Sequence, residues 1–381
     1  MDPAVANKRS TYNTYGRAVM THMISIRDSL VSIRGAPISM NGSESPKRLK
    51  ALEFFCGIGG FHFALQDVSD FIDVIGAFDI NTTTNQIYSF NFPGTKLYQK
   101  NIQALTKVFL DMKKADIWTL SPPCQPFVKK GLQLDLKDAR CDALKQMCDR
   151  ICDVIYPPRF IMVENVVGFQ DSAAEEMFLD ALKSRGYQYE THLLSPLECG
   201  IPNSRPRYYI LAKLNAADII FEAPTTKENG ATVIPVREYI SMEAGNDSEL
   251  FLPLEVILKH KDIIDLVEPR SSRSACFTKA YGHYVKGTGS LLVTNVPESC
   301  RDEEFTKKDF VEMVSSGREE LVGALGIRYL SVAEVAGLMG FRDRLNQPAG
   351  ITRSQMYRAL GNSVNVSVVS VLLKRLLCEC W

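Results

Sequence analysis

The apolar positions of this chain change period as the sequence runs. "RLKALEFF", residues 48 to 55, is a short apolar run that stops at "CGIGG" and resumes as "FHFALQDV". That order predicts a strand, a glycine turn and a helix. "FIDVIGAFD" predicts a second strand ending at Asp79, and "NTTTNQIYSFNF" the next helix. "ADIWTLS" predicts a strand that ends at a proline cluster, and "RFIMVENVVG" a strand that ends at Glu164. "AAEEMFLDALKSRG" has the spacing of an amphipathic helix closed by Gly186, and "YQYETHLLS" and "RPRYYILAKL" read as two more strands. Strands alternating with helices imply an α/β fold built on a doubly wound, mostly parallel sheet.

The alternation stops after about residue 216. Residues 216 to 326 mix Pro, Gly, charge and short apolar runs, and predict a smaller inserted domain. "SVAEVAGLMGF" and "NVSVVSVLLKRLL" then predict helices that return to the main unit. The expected division is 48–215 and 327–381 for the large domain, interrupted by 216–326. Residues 1–47 carry six Lys/Arg against three Asp/Glu and end in the linker-like "ISMNGSESPKR". They read as a disordered extension, with an organelle-targeting leader as the alternative.

Composition changes this picture little. The chain has 381 residues, 45% of them apolar and 23% charged, which is ordinary for a globular protein. No run approaches the roughly 18 apolar residues of a membrane helix, and residues 1–47 lack the apolar core of a secretory signal. The formal net charge is zero, so a nucleic-acid partner would need a local basic patch. The ten cysteines form no regular framework, and free thiols in a reducing compartment, cytoplasm or nucleus, are expected. Cys141, Cys148 and Cys152 have no Cys-x-x-Cys step and no nearby His, so no metal site is expected there. Cys148 and Cys152, four apart, are expected on one buried helix face.

Ligands of a doubly wound sheet bind at the carboxyl ends of its strands. The residues predicted there are the loop Gly57-Ile58-Gly59-Gly60, then Asp79, Cys124 and Glu164, with Arg205 and Arg207. A glycine loop lets backbone approach a ligand, and a carboxylate at Asp79 can accept bonds from both hydroxyls of a ribose. Together they point to a nucleoside-containing cofactor, although the spacing misses the dinucleotide fingerprint and a purely structural turn gives the same pattern. "SPPCQPF" holds Cys124 in a stiff, extended turn, because proline restricts its neighbours and supplies no backbone donor. That suits a nucleophile which must attack at one angle; a buried, inert cysteine is the alternative. "MVEN" puts Glu164 at the end of an apolar strand, where it can donate a proton or simply cap a helix. Arginines beside the thiol would favour its thiolate. One chemistry uses all three groups: the thiolate adds to C6 of a flipped-out cytosine while Glu164 protonates or holds N3. C5 then takes a methyl group from S-adenosylmethionine, and loss of the C5 proton expels the thiolate.

"FFCGIGGFHFAL", "SPPCQPF", "VENVVGF", "IPNSRPRYY" and "RALGNSVNVSVV" follow one another in the order of the motifs of cytosine-5 methyltransferases, which the chain resembles over about residues 49 to 381. "CFTKAYGHYVKGTGS", "IPNSR" and "RYLSVAEVAGLMGF" are similar to the small eukaryotic branch that methylates cytosine 38 in the anticodon loop of aspartate tRNA. The resemblance implies a Rossmann-like S-adenosylmethionine-dependent methyltransferase sheet with a target-recognition domain inserted at 216–326. It implies Cys124 as nucleophile, Glu164 as the N3 partner, and Arg205 and Arg207 holding the cytosine and its phosphate. Phe54 and the Gly57–Gly60 loop would cradle the cofactor, Asp79 would bind its ribose, and Ile80 would pack on the adenine. Asn101, Ile102, Pro122, Asn362 and Val364 would complete that pocket. Lys129, Lys130, Arg140, Cys276, Phe277, Thr278, Lys279 and Tyr281 would meet the RNA.

The chain departs from the family at Asn101, where many relatives carry an acidic adenine contact, and at Lys129–Lys130, where relatives place Thr or Ser and Arg. Residues 276–290 interleave Phe277, Tyr281 and Tyr284 with Lys279, His283 and Lys286, a pattern that serves either base stacking or a core-packed glycine loop. The implied partner is tRNA, with weak DNA binding, no membrane and a monomeric state. A DNA cytosine-5 methyltransferase shares the chemistry, and a non-catalytic nucleic-acid binder shares the fold.

Overall fold

The structure is a computed structural model that describes residues 48–123, 141–214, 232–300 and 304–378. β1 (Leu49–Phe54), β2 (Ile72–Phe78), β3 (Leu97–Tyr98), β4 (Ile117–Leu120), β5 (Phe160–Val166), β6 (Tyr187–Leu194) and β7 (Arg207–Leu214) form one seven-stranded sheet, in the order β3-β2-β1-β4-β5-β7-β6. β3 through β5 are parallel, and β7 runs antiparallel to both of its neighbours. The chain moves outward from β1 to β3, then jumps back to β4. The order therefore reverses between β1 and β4, where a crevice opens at the strand ends.

Helices cover both faces. α1 (Gly60–Val68) and α2 (Thr82–Asn91) put Phe61, Leu65, Ile87 and Tyr88 on one face. α3 (Lys107–Lys113), α4 (Asp142–Asp153) and α5 (Ala173–Ser184) put Leu110, Leu144, Ile151, Phe178 and Leu182 on the other. The central strands touch no water on either side, so β4 is buried at every position and shows no polar alternation. α4 corrects one expectation: Cys148 is buried, but Cys152 is exposed and lies 3.5 Å from Ser184 Oγ.

A smaller unit follows, with α6 (Leu254–Lys259), β8 (Leu266–Val267), β9 (Leu291–Val293), α7 (Lys307–Ser315), α8 (Glu319–Ala324) and β10 (Ile327–Tyr329). Its three-stranded sheet, β10-β9-β8, encloses its own core around Ile257, Val293, Phe310 and Ile327. β10 pairs antiparallel with β9, so this sheet runs past residue 326 and the chain leaves it only at Leu330. Val236, Phe277 and Tyr281, all within the expected insertion, pack instead into the core of the large unit.

The return consists of α9 (Val332–Leu338), α10 (Arg353–Asn362) and α11 (Val366–Leu377). α9 and α10 start on capping boxes, Ser331/Glu334 and Thr352/Gln355. Residues 353–377 are long and apolar enough to cross a membrane by length and composition. They are two helices, broken where Asn365 caps α11, and α11 buries Val368, Val369, Leu372, Leu373 and Leu376 in the same core as α1.

Candidate active site at the carboxyl edge of the sheet

The switch point opens into a cleft of about 680 Å³, walled by the residues that follow β1, β2 and β4, by the end of β5 and by the start of β7. The antiparallel β7 begins where the parallel strands end, so its first residues reach the same edge.

At one end of the cleft, β1 runs into Phe55, which has a left-handed φ of 56°, and then Gly57, φ 52°. A side chain on Gly57 would meet no atom within 4 Å, so its backbone faces open volume. Gly59 differs: a Cβ there would sit 2.4 Å from the Phe92 ring, so this glycine serves helix packing. Gly59 precedes α1 and gives it no side-chain cap. Asp79 closes the loop, accepting from Gly57 N at 2.9 Å and Asn81 N at 2.8 Å. Each carboxylate oxygen retains acceptor capacity beyond that one bond. Ile80, Asn101, Ile102 and Pro122 also line the cleft, and Ile80 is 65% exposed. Asn101 is engaged locally, with Oδ1 accepting from Gln103 N and Nδ2 donating to Gln103 Oε1. Ile58, Gly60, Asn362 and Val364 line a smaller recess of about 40 Å³ beside Gly57. A glycine backbone on open volume and a carboxylate at the end of β2 fit the ribose and amino-acid parts of S-adenosylmethionine.

Phe54 is not part of this wall. It is fully buried, stacked on Phe78 at 5.1 Å and edge-on to Trp118. Its neighbour Phe55 faces the cleft instead. β1 buries apolar residues on both sides, Leu49 and Ala51 on one and Leu52 and Phe54 on the other, so its pattern does not reveal which phenylalanine leaves the sheet.

At the other end stands Glu164, 6% exposed. β4 and β5 pair Leu120 with Val163, so Ser121 falls opposite Glu164 at the strand ends. Ser121 Oγ donates to Glu164 Oε2 at 2.8 Å, and Arg207 Nε lies 3.3 Å from Oε1. Pro122 and Pro123 continue the cleft wall, and Cys124 is the next residue in the chain. Cys124, Lys129, Lys130 and Arg140 lie outside the described residues.

Arg205 and Arg207 both reach the cleft, as the two-residue spacing predicts, but they are used differently. Arg205 is 2% exposed. It donates to the carbonyls of Phe277 (2.9 Å), Gly361 (3.0 Å) and Ser363 (2.6 Å), and to Cys276 Sγ at 3.3 Å. Its Nε has no partner among the described residues. Arg205 thus joins β7 to the 276–290 stretch and to the end of α10. Burial raises the Cys276 thiol, but the guanidinium groups of Arg205 and Arg207 outweigh it and hold the thiol below its ordinary value.

The 276–290 stretch corrects the expectation for two aromatics. Phe277 and Tyr281 are 1% and 2% exposed, and pack edge to face at 4.9 Å. Tyr281 Oη donates to Ser290 O and accepts from Leu330 N, so neither ring is open to RNA. Thr278 is half-buried, while Lys279, His283, Tyr284 and Lys286 are exposed. A Cβ on Gly361 would lie 2.3 Å from the backbone of Thr278 and Lys279, so α10 and this stretch meet without a gap beside the cleft. Ser121 and Phe55 were missed by sequence reasoning; Ser121 carried a usable signal, its place between a strand end and the Pro-Pro-Cys turn.

This fold and this strand-end site are those of a cytosine-C5 methyltransferase: residues 49–378 match the C-5 cytosine-specific DNA methylase family, and the chain belongs to it. Within the family it is similar to proteins named tRNA (cytosine(38)-C(5))-methyltransferase. The one from Schizosaccharomyces pombe is 37% identical over 87% of this chain and 98% of its own length. The one from Homo sapiens is 33% identical over 86% of this chain and 98% of its own length. The crystal structure of the S. pombe Dnmt2 methyltransferase superposes with a TM-score of 0.74 at 35% identity, covering 87% of this chain and 98% of that one.

Proposed function

We propose that this protein transfers a methyl group from S-adenosylmethionine to C5 of cytosine in tRNA, at position 38 of the anticodon loop of aspartate tRNA. The observation that carries the chemistry is Glu164, a nearly buried carboxyl held by Ser121 and Arg207 where the Pro122-Pro123-Cys124 turn begins. Cys124 would add to C6 of the flipped cytosine, and Glu164 would supply the proton at N3, so charge does not build on the ring. Arg207 and the Ser121 hydroxyl then meet the carboxylate left behind. The bound cofactor supplies an electrophilic methyl group; Gly57, Asp79 and Ile80 would hold it at the β1 and β2 ends of the cleft.

The RNA assignment is supported by the names and coverage of the relatives and by exposed Lys279, Tyr284 and Lys286 on a stretch that abuts the cleft wall at Gly361. An aromatic face among cations suits an unpaired loop base and its phosphates. The test is transfer of labelled methyl from S-adenosylmethionine to an aspartate tRNA transcript, the same transcript with uridine at position 38, and a mixed-sequence DNA duplex. Label is expected on the first alone. Label on DNA alone would overturn the RNA assignment, and cofactor binding without label on any of them would favour a non-catalytic binder.

A further inference from the structure

Ser121 stands where two parts of the chemistry join. Its N–H lies 3.4 Å from Phe54 O, so its backbone still belongs to the sheet. The next two residues are prolines, which lack an N–H and have a fixed φ, and Cys124 follows them in the sequence. Its side chain donates to Glu164 Oε2 at 2.8 Å. One short residue therefore touches the proton donor and stands three positions before the nucleophile in the sequence.

We propose that Ser121 is a positioning residue that sets the orientation of the Glu164 carboxyl at the cleft edge and keeps it there through the proton cycle. The proposal rests on the cytosine-C5 reading above. A hydroxyl is suited to the task because it both donates and accepts. With no base in the cleft, the Ser121 oxygen can accept from the protonated carboxyl, and a seated cytosine takes over that O–H through its N3. When that proton leaves for N3, the O–H bond electrons stay on the carboxylate and the Ser121 O–H turns to donate. Arg207, 3.3 Å from the other oxygen, can only donate. Without Ser121, the neighbour that would remain among the described residues is Arg207, suited to the charged form.

The experiment compares Ser121→Ala, Ser121→Thr, Glu164→Gln and the Ser121→Ala/Glu164→Gln double variant by single-turnover methyl transfer. Each is assayed on whichever of the tRNA transcript and the DNA duplex the wild type labels. A wild type that labels only DNA would sink the RNA reading and leave the Ser121 measurement intact, since both substrates present the same base. Ser121→Ala is expected to lower kcat about 10- to 100-fold, the effect of one hydrogen bond to a charged group. KM for nucleic acid and cofactor should stay within about two-fold, and Ser121→Thr, which keeps the hydroxyl, should recover most of the rate. Because Ser121 acts through Glu164, the double variant should be no slower than Glu164→Gln alone. Wild-type kcat in Ser121→Ala would overturn the proposal. So would a fully additive double variant, or a loss in Ser121→Thr as large as in Ser121→Ala.

Discussion

The cleft and the seam beside it are built from the same kinds of residue and use them in opposite ways. In the cleft, Asp79, Glu164 and Arg207 are held by neighbouring groups and also border the open volume. In the seam, where the sheet, the 276–290 stretch and the small sheet meet α9 and α10, polar groups are spent on one another. Arg205 is wrapped in carbonyls, Arg328 and Glu334 form a two-bonded pair with 1% and 0% side-chain exposure, and the Tyr281 hydroxyl is bonded twice. A side chain's identity therefore does not say which role it has; the location of its remaining bonding capacity does. Cleft substitutions should remove function and spare the fold, and seam substitutions should act through the fold.

The sharpest way to break this contrast is Glu164→Gln. General acid–base groups contribute about 10²–10⁴ in rate, so single-turnover transfer should fall into that range while the melting temperature barely moves. A variant that melts early would place Glu164 in the seam class. Next comes Glu334→Ala, which strands Arg328 in the interior without its partner. Breaking a buried pair costs about 3–5 kcal/mol, measurable by urea unfolding, and the protein that remains folded should keep its kcat. Asp79→Ala should weaken S-adenosylmethionine binding about 10- to 100-fold by calorimetry, with KM for RNA unchanged; equal losses in both would spread the cofactor site beyond the β2 end.

The smallest effect concerns the floor under the glycine loop. Glu53 is fully buried, takes a bond from Tyr88 Oη at 3.1 Å and has one oxygen without a partner among the described residues. Burial pushes its carboxyl up to about 8 from 4.5. Between those values the native protein keeps a proton that the unfolded chain has lost, so stability should fall as pH rises through the window. Neighbouring His62, driven by burial down to about 4 from 6.5, acts at the acid end, where stability falls as pH drops below 6.5. Glu53→Gln should remove the fall in melting temperature between about pH 6.5 and 8 and uncover, between about pH 4.5 and 6.5, the rise owed to His62 that Glu53 offsets in the wild type. Parallel curves for variant and wild type would remove Glu53 from this role.

The same contrast explains how far the sequence could be read. Strand ends were legible because period changes and turn residues mark them: Asp79 and Glu164 fall within two residues of the observed strand ends and open on one cleft. The order of the motifs carried the family. The seam was not legible, since burial there depends on contacts between segments far apart in the chain. "CFTKAYGHYVKG" serves either exposed aromatics among cations or a core-packed glycine loop, and the choice is made by Tyr357 and Leu330 from the return, which meet Tyr281, and by the core that Phe277 shares with them. Arg205 and Arg207 look equivalent in "RPRYY", and only the packing of α10 decides that Arg205 turns inward. The small sheet's extension to Tyr329 depends on pairing with β9, which no local pattern records.

The central claim is a covalent cytosine adduct formed at the mouth of this cleft, and it is tested most directly by trapping that adduct. An aspartate tRNA carrying 5-fluorocytosine at position 38 blocks the final elimination, because C5 has no proton to lose. Incubated with S-adenosylmethionine and digested, the complex should yield one cross-linked peptide, with the methylated base on Cys124, formed far more slowly by Glu164→Gln. A stable adduct on another cysteine, or efficient turnover of the natural tRNA with no adduct from the fluorinated one, would contradict the account.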